Sequence, residues 1–231
     1  MTDFPLTWRL PAEWEPQDGV LLAWPHADTD WAPILDQVEV TYAALVAAIT
    51  RFETAIVIAA DATLEARART MALAAGADAA RLRTVRAEYD DTWLRDSGPI
   101  TLTDGTRHRL LDFRFTGWGG KYGAERDDRL IGRLVETGLF REDVELERID
   151  FALEGGAIDS DGAGNILTTW RCLAQRHPDA SPQAIEVALS QFLRATRVAI
   201  LEHGALEGDD TDAHIDTLAR YAAADLIVHQ A

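Results

Sequence analysis

Positive charge is scarce in this 231-residue chain: 22 Lys plus Arg stand against 39 Asp plus Glu, a net charge of −17. A field of that sign opposes nucleic acid or an anionic membrane as a partner and suits a small cationic ligand. Cysteine is almost missing. The single Cys172 has no intrachain disulfide partner, which points to a reducing compartment. The opening Met1-Thr2-Asp3-Phe4-Pro5 lacks the basic and apolar regions of a secretory leader, and no 18-residue apolar span stands out. A cytoplasmic location is the expectation. No linker rich in Pro, Gly or Ser and no low-complexity block interrupts the chain, so residues 1–231 are read as one domain. An apolar fraction of 47% is enough for a substantial core.

What is present is an alternation of short apolar segments. Residues 19–24 predict a strand ended by Pro25, and residues 33–51 carry apolar side chains at helical spacing (Ile34, Leu35, Val38, Tyr42, Leu45, Val46, Ile49). Residues 54–60 read as a buried strand, 62–75 as a helix capped by Gly76, and 82–85 as another strand. This opening third is an α/β pattern. A polar stretch, residues 89–99, then leads into a hairpin with arms 100–103 and 107–113 around Asp104-Gly105. The Gly-rich loop Phe115-Thr116-Gly117-Trp118-Gly119-Gly120-Lys121-Tyr122 lacks the Lys-Ser/Thr pair of a phosphate loop. A helix is predicted over 124–137, a strand over 144–149, and a second hairpin turns at Asp161-Gly162 and returns through Ile166-Leu167. Ser181 and Pro182 fit the N-cap and first position of a helix over 182–194, and a strand over 198–201 follows.

The stretch Gly208-Asp209-Asp210-Thr211-Asp212-Ala213-His214-Ile215-Asp216 comes next. If Ile215 faces a core from a strand, His214 and Asp216 share the opposite face. A histidine beside a carboxylate can act as general acid or base near neutral pH. The position also repeats. Asp96, Glu154 and His214 each head an apolar hairpin, at separations of 58 and 60 residues. Units of that size suggest a radial or stacked architecture, in which equivalent positions converge at a hub. Several carboxylates meeting one histidine suit a buried cation, because an unpaired buried charge is costly.

Five segments, PAEWEPQDGVLLAWPH, TWLRDSGP, FTGWGGKY, LEGGAIDSDG and DTDAHIDTLARY, run in order from about residue 10 to the end. Together they resemble the agmatine deiminase and bacterial (Porphyromonas-type) peptidyl-arginine deiminase family of the guanidino-group-modifying pentein superfamily. The resemblance implies a five-bladed α/β propeller of ββαβ repeats, of which this chain covers about three to four blades. It implies that Asp96 and Asp216 grip the substrate guanidinium, that Trp93 lines the pocket, and that Glu154 pairs with the catalytic His214. A planar guanidinium with five donors can give each carboxylate a forked, charge-assisted pair. The family's nucleophile is a cysteine near its C-terminus, and that position falls beyond Ala231, so the chain reads as C-terminally incomplete and inactive alone.

Cys172, in TTWRCLAQRHP, matches a family position that is not the nucleophile. It is read at a hairpin end with no histidine motif at the equivalent hub position. His26, Asp28 and Asp30 have no EF-hand spacing, and neither HExxH nor a cysteine pair occurs, so no metal and no cofactor are expected. The expected reaction is agmatine hydrolysis to N-carbamoylputrescine and ammonia. A peptidyl-arginine substrate and a non-catalytic guanidinium-binding propeller fragment are the alternatives, and a homodimer is compatible with the family.

Overall fold

The computed structural model describes residues 8–209, 211 and 213–230, and these divide into two units. Residues 16–98 and 123–140 form a parallel-sheet unit, and residues 8–15, 99–122 and 141–230 form a hairpin unit.

The parallel-sheet unit opens with β1 (Gly19–Ala23), α1 (Leu35–Ile49), β2 (Thr54–Ala59), α2 (Ala62–Ala74) and β3 (Leu82–Arg86). The three strands pair in parallel in the order β1-β2-β3. Parallel neighbours need crossovers, which α1 and α2 supply. The central β2 is TAIVIA, whose β-branched residues suit a strand covered on both faces. Trp24, Ala43, Val46, Val57, Ala68 and Leu82 form the core on the α1–α2 side. Ala23, Ile58, Tyr89, Leu130, Ile131 and Leu134 form a second core within the unit. Asp61 caps α2 by accepting from Thr63 and Leu64 N–H at 2.7 and 2.9 Å.

Residues 32–49 average a hydropathy of 1.3 over 18 residues, a span that the sequence reading did not single out. Its packing explains part of the composition. Val38, Ala43, Val46 and Ala47 are buried, and the buried Glu39 accepts from Trp24 Nε1 at 3.0 Å and Arg67 Nε at 2.6 Å. A satisfied ionic side chain on the buried face is the mark of a core helix here. The unit ends its first pass in a one-turn helix, α3 (Leu94–Ser97), where the sequence reading had only a polar stretch.

The hairpin unit takes over with β4 (Ile100–Thr103) and β5 (His108–Arg114), antiparallel as expected. Asp104 shapes their turn, accepting from the N–H groups of Thr106 and Arg107 at 3.0 and 2.8 Å. The Gly-rich loop contains a single turn, α4 (Gly117–Gly120), with Trp118 in the left-handed region at φ 54°. In the parallel-sheet unit, α5 (Leu130–Glu136) occupies part of the predicted 124–137 helix. Next, β6 (Glu145–Ala152) pairs parallel to β5.

The same grammar then recurs. β7 (Ile158–Ser160) and β8 (Asn165–Thr169) form a hairpin, α6 (Trp170–Arg176) and α7 (Pro182–Phe192) follow, and β9 (Arg197–Leu201) pairs parallel to β8. Ser181 caps α7 as predicted, accepting from Ala184 N–H at 3.2 Å. A third hairpin, β10 (Ala219–Ala223) and β11 (Leu226–His229), ends the described chain. The core of this unit joins Leu102, Leu111, Phe113, Leu153, Ile166, Leu173, Ile185 and Leu189. The architecture is thus mixed α/β, built on small sheets.

Candidate functional site

Three of the five residues singled out from sequence head a hairpin through a short helical turn. Asp96 lies in α3 and the chain enters β4 four residues later. Glu154 is the N-cap of a 3-10 turn, Gly155–Ala157, that runs directly into β7. His214 is the N-cap of a 3-10 turn, Ile215–Thr217, that precedes β10. Extended backbone at Glu154 (φ −96°, ψ 145°) and His214 (φ −56°, ψ 139°) changes to helical just after each side chain.

The strand geometry expected for His214 and Asp216 is not what forms. A 3-10 turn has three residues per turn, so positions two apart point in different directions. His214 is 1% exposed, whereas Asp216 is half-buried. Ile215 does face a core, completely buried with Leu167 and Ala219. The approach to His214 is set by Asp209, which accepts from Thr211 N–H and Ala213 N–H at 2.9 and 2.7 Å. Ala213 takes φ 70° there, a strained value for a residue with a Cβ. Of the same stretch, Asp210 and Asp212 lie outside the described residues.

Glu154 and His214 meet, as the sequence reading required. Glu154 Oε2 lies 3.6 Å from His214 Nε2, with both side chains 1% exposed. The other oxygen, Oε1, accepts from Arg176 Nε at 2.8 Å, and that side chain is fully buried too. Burial raises the Glu154 carboxyl, but His214 and the Arg176 guanidinium outweigh it and hold the group below the usual glutamate value. A carboxylate kept ionised beside an imidazole can orient the ring. A histidine so placed is chemically able to act as a general acid or base.

Cys172 is the second correction. It sits in α6 and not at a hairpin end, its Sγ lies 3.9 Å from Glu154 Oε2, and it clusters with Glu154 and His214. Thr169 fixes this arrangement. Its hydroxyl caps Cys172 N–H at 3.3 Å and donates to Ala213 C=O at 2.6 Å, tying α6 to the residue before His214. Burial pushes the Cys172 thiol up, and Glu154 adds to that. A hydrogen bond with His214 opposes that rise without cancelling it. Of the described residues, Glu154, Cys172 and His214 form a set able to ligate a metal.

Arg176 escaped the sequence reading, although a signal existed. Thr169 is an N-cap type, and Cys172 and Arg176 are four apart, so a helix from Trp170 places both on one face. Trp93 and Asp96 belong to the parallel-sheet unit, and Glu154, His214 and Asp216 to the hairpin unit. Asp96 is 8% exposed. Trp93 is 48% exposed, its ring 5.7 Å from that of Trp31. Elsewhere in the hairpin unit an open recess of about 370 Å³ is lined by Leu201, Leu206, Leu218 and His229 without any carboxylate. A cationic ligand needs carboxylates, which the buried cluster offers and this recess does not.

Comparison with known proteins gives one answer. The chain is 35% identical over 225 residues to agmatine deiminase of Pseudomonas aeruginosa (strain LESB58), covering 92% of this chain and 57% of that protein. It is 36% identical over 217 residues to agmatine deiminase of Stutzerimonas stutzeri (strain A1501), covering 90% and 56%. The chain therefore spans little more than half the length of these curated relatives. Among solved structures, a cysteine-to-serine variant of C. jejuni agmatine deiminase with substrate bound is 31% identical with a TM-score of 0.87, covering 96% of this chain and 64% of that one. A putative arginine deiminase from Porphyromonas gingivalis is 41% identical with a TM-score of 0.84, covering 96% and 65%. The sequence profile of the Porphyromonas-type peptidyl-arginine deiminases matches residues 9–231, and with that extent of agreement the chain belongs to this family.

Proposed function

We propose that this chain is the greater part of a guanidine-hydrolysing enzyme whose substrate is agmatine, giving N-carbamoylputrescine and ammonia. The observation that carries the reading is the buried Glu154–His214 pair with Arg176 behind it. In this mechanism His214 protonates the departing ammonia and then takes a proton from the attacking water, while Glu154 orients the ring. Asp96 and Asp216 accept from the guanidinium, and Trp93 lines the pocket. The nucleophile is a cysteine of the longer protein, beyond residue 231, which forms a covalent thiouronium that water hydrolyses. The fully buried position of Cys172 in α6, where burial also pushes its thiol up, supports that assignment over Cys172.

The reading extends to architecture. The hairpin–helix–strand succession from β4 to β6 and from β7 to β9 supports a propeller of ββαβ blades, five in the complete protein. A net charge of −17 supports a cationic substrate. The curated relatives named agmatine deiminase favour agmatine, while the description of the matched family keeps peptidyl-arginine as the second substrate class. The test is ureido-product formation by the natural gene product from agmatine, with free arginine and a peptide ending in arginine alongside. Product from agmatine alone supports the proposal; product only from the peptide replaces the substrate; product from none removes the enzymatic reading.

A further inference from the structure

The acid–base pair shares its pocket with a thiol that the proposed chemistry does not use. Glu154, Cys172 and His214 each offer one ligand atom, all within 4.8 Å of one another and all buried. A carboxylate oxygen, an imidazole nitrogen and a thiolate sulfur are the donor types that Zn²⁺ prefers. The spacing fits as well. Oε2 lies 3.6 Å from Nε2 and 3.9 Å from Sγ. A tetrahedral site with bonds of about 2.0–2.3 Å holds its donors about 3.3–3.8 Å apart, so the two printed separations come close to it and the third, at most 4.8 Å, must shorten by up to about 1 Å.

The surroundings orient these donors. Arg176 engages Oε1, which turns Oε2 toward the sulfur and the imidazole. A hydrogen bond to the second oxygen of a ligating carboxylate is the outer-shell support that protein metal sites use. Thr169 ties the Cys172 helix to the residue before His214, so the two donors are held by one side chain.

We propose that Glu154, Cys172 and His214 form a binding site for a zinc-class divalent ion. Coordination forms an S–metal bond and releases the thiol proton to solvent, with no oxidant or reductant needed. The ion occupies Oε2 and Nε2, the atoms through which Glu154 and His214 face each other. Metal binding therefore suppresses turnover, a consequence that rests on the function proposed above, whereas the binding itself does not.

The experiment is a titration of Co²⁺ into the metal-free protein without substrate, followed by displacement with Zn²⁺. Thiolate-bound Co²⁺ gives an intense near-ultraviolet charge-transfer band. The expected result is a saturable band at one ion per chain, abolished by Zn²⁺ and absent from Cys172→Ser. In His214→Gln the band persists but Co²⁺ affinity falls at least tenfold, in line with loss of one of three ligands. No band in the wild type, the same band in Cys172→Ser, or unchanged affinity in His214→Gln each overturns the site. The His214→Gln arm stands even if Cys172→Ser fails to fold. Because the readout needs no turnover, it is decided separately from the enzymatic reading.

Discussion

Arg176 and Glu154 are joined out of reach of solvent: Nε meets Oε1 at 2.8 Å, with side chains 0% and 1% exposed. The pair is poised between two costs. Burying both charges is expensive, yet removing one partner strands the other. Arg176→Met keeps much of the apolar stem and deletes the cation, so it should destabilise the chain at pH 7 by about 3–5 kcal/mol. The sign of the pH effect follows from the Glu154 carboxyl, which lies below its ordinary 4.5. A lowered carboxyl contributes stability that is present above its unfolded value and lost as pH falls through the folded one. The deficit of Arg176→Met should therefore shrink on going from pH 7 to about pH 4. Urea unfolding at the two pH values checks this; an equal deficit at both would mean that lost packing, not lost charge, is responsible.

The roles proposed for His214 and Asp96 predict that variants at the two positions separate chemistry from binding. In the complete protein, His214→Asn should lower kcat about 10²- to 10⁴-fold, the span expected for a lost general acid–base group. Asp96→Ala should weaken guanidine binding about tenfold or more, since hydrogen bonds to a charged group contribute about 1.5–3 kcal/mol. Steady-state kinetics and calorimetry with agmatine read the two effects. A normal kcat in His214→Asn removes it from the mechanism, and unaltered affinity in Asp96→Ala removes Asp96 from the site.

Gly98 controls the end of the turn that carries Asp96. Its N–H donates to Leu94 C=O at 2.9 Å, and a Cβ at this position would stand 2.3 Å from that oxygen. Gly98→Ala must open the turn, at a cost of about 1–3 kcal/mol. Gly132 is the control. It lies inside α5, and a methyl group added there would meet nothing within 4 Å, so Gly132→Ala should be neutral or stabilising by up to about 1 kcal/mol. Thermal unfolding should move the two variants in opposite directions or leave Gly132→Ala unmoved; a matching fall would refute the steric argument.

Asp127 gives the opposite pH signature to Glu154. It is 4% exposed and accepts from the N–H groups of Asp90 and Asp91 at 2.8 and 3.2 Å. Burial pushes its carboxyl up from 3.8 to about 6. The folded state then holds a proton that the unfolded chain releases, so this group's contribution falls as pH rises between those values. The loss is on the order of 2 kcal/mol. Asp127→Asn keeps an acceptor oxygen and removes the titration. Its stability relative to wild type should improve from pH 4.5 to pH 7, measured by urea midpoints; a constant difference would contradict the assignment.

Much of this was legible in the chain. α1, α2 and α7 were readable because each is long enough to repeat an apolar period, and β2 because TAIVIA is β-branched and lacks polar interruption. The one-turn elements were not. α3 and the 3-10 turns after Glu154 and His214 are three or four residues long, too short to show any period. For that reason Asp216 was placed on a strand beside His214 when a 3-10 turn separates their directions. The missed helix α6 had the same effect on Cys172 and Arg176: without it, neither could be brought toward Glu154.

By itself, the sequence determined the order of the strands and of the longer helices, the three hairpins, and the place of Asp96, Glu154 and His214 at the head of each. These are local consequences of side-chain period, turn residues and caps, which act over a few positions. Only the tertiary structure decided which of those heads touch and what stands with them. The meeting of Glu154 with His214, the cation of Arg176 behind it and the thiol of Cys172 beside it join positions up to 60 residues apart. Such contacts depend on burial and on the packing of α6 against the approach to His214, and no short window of sequence contains either.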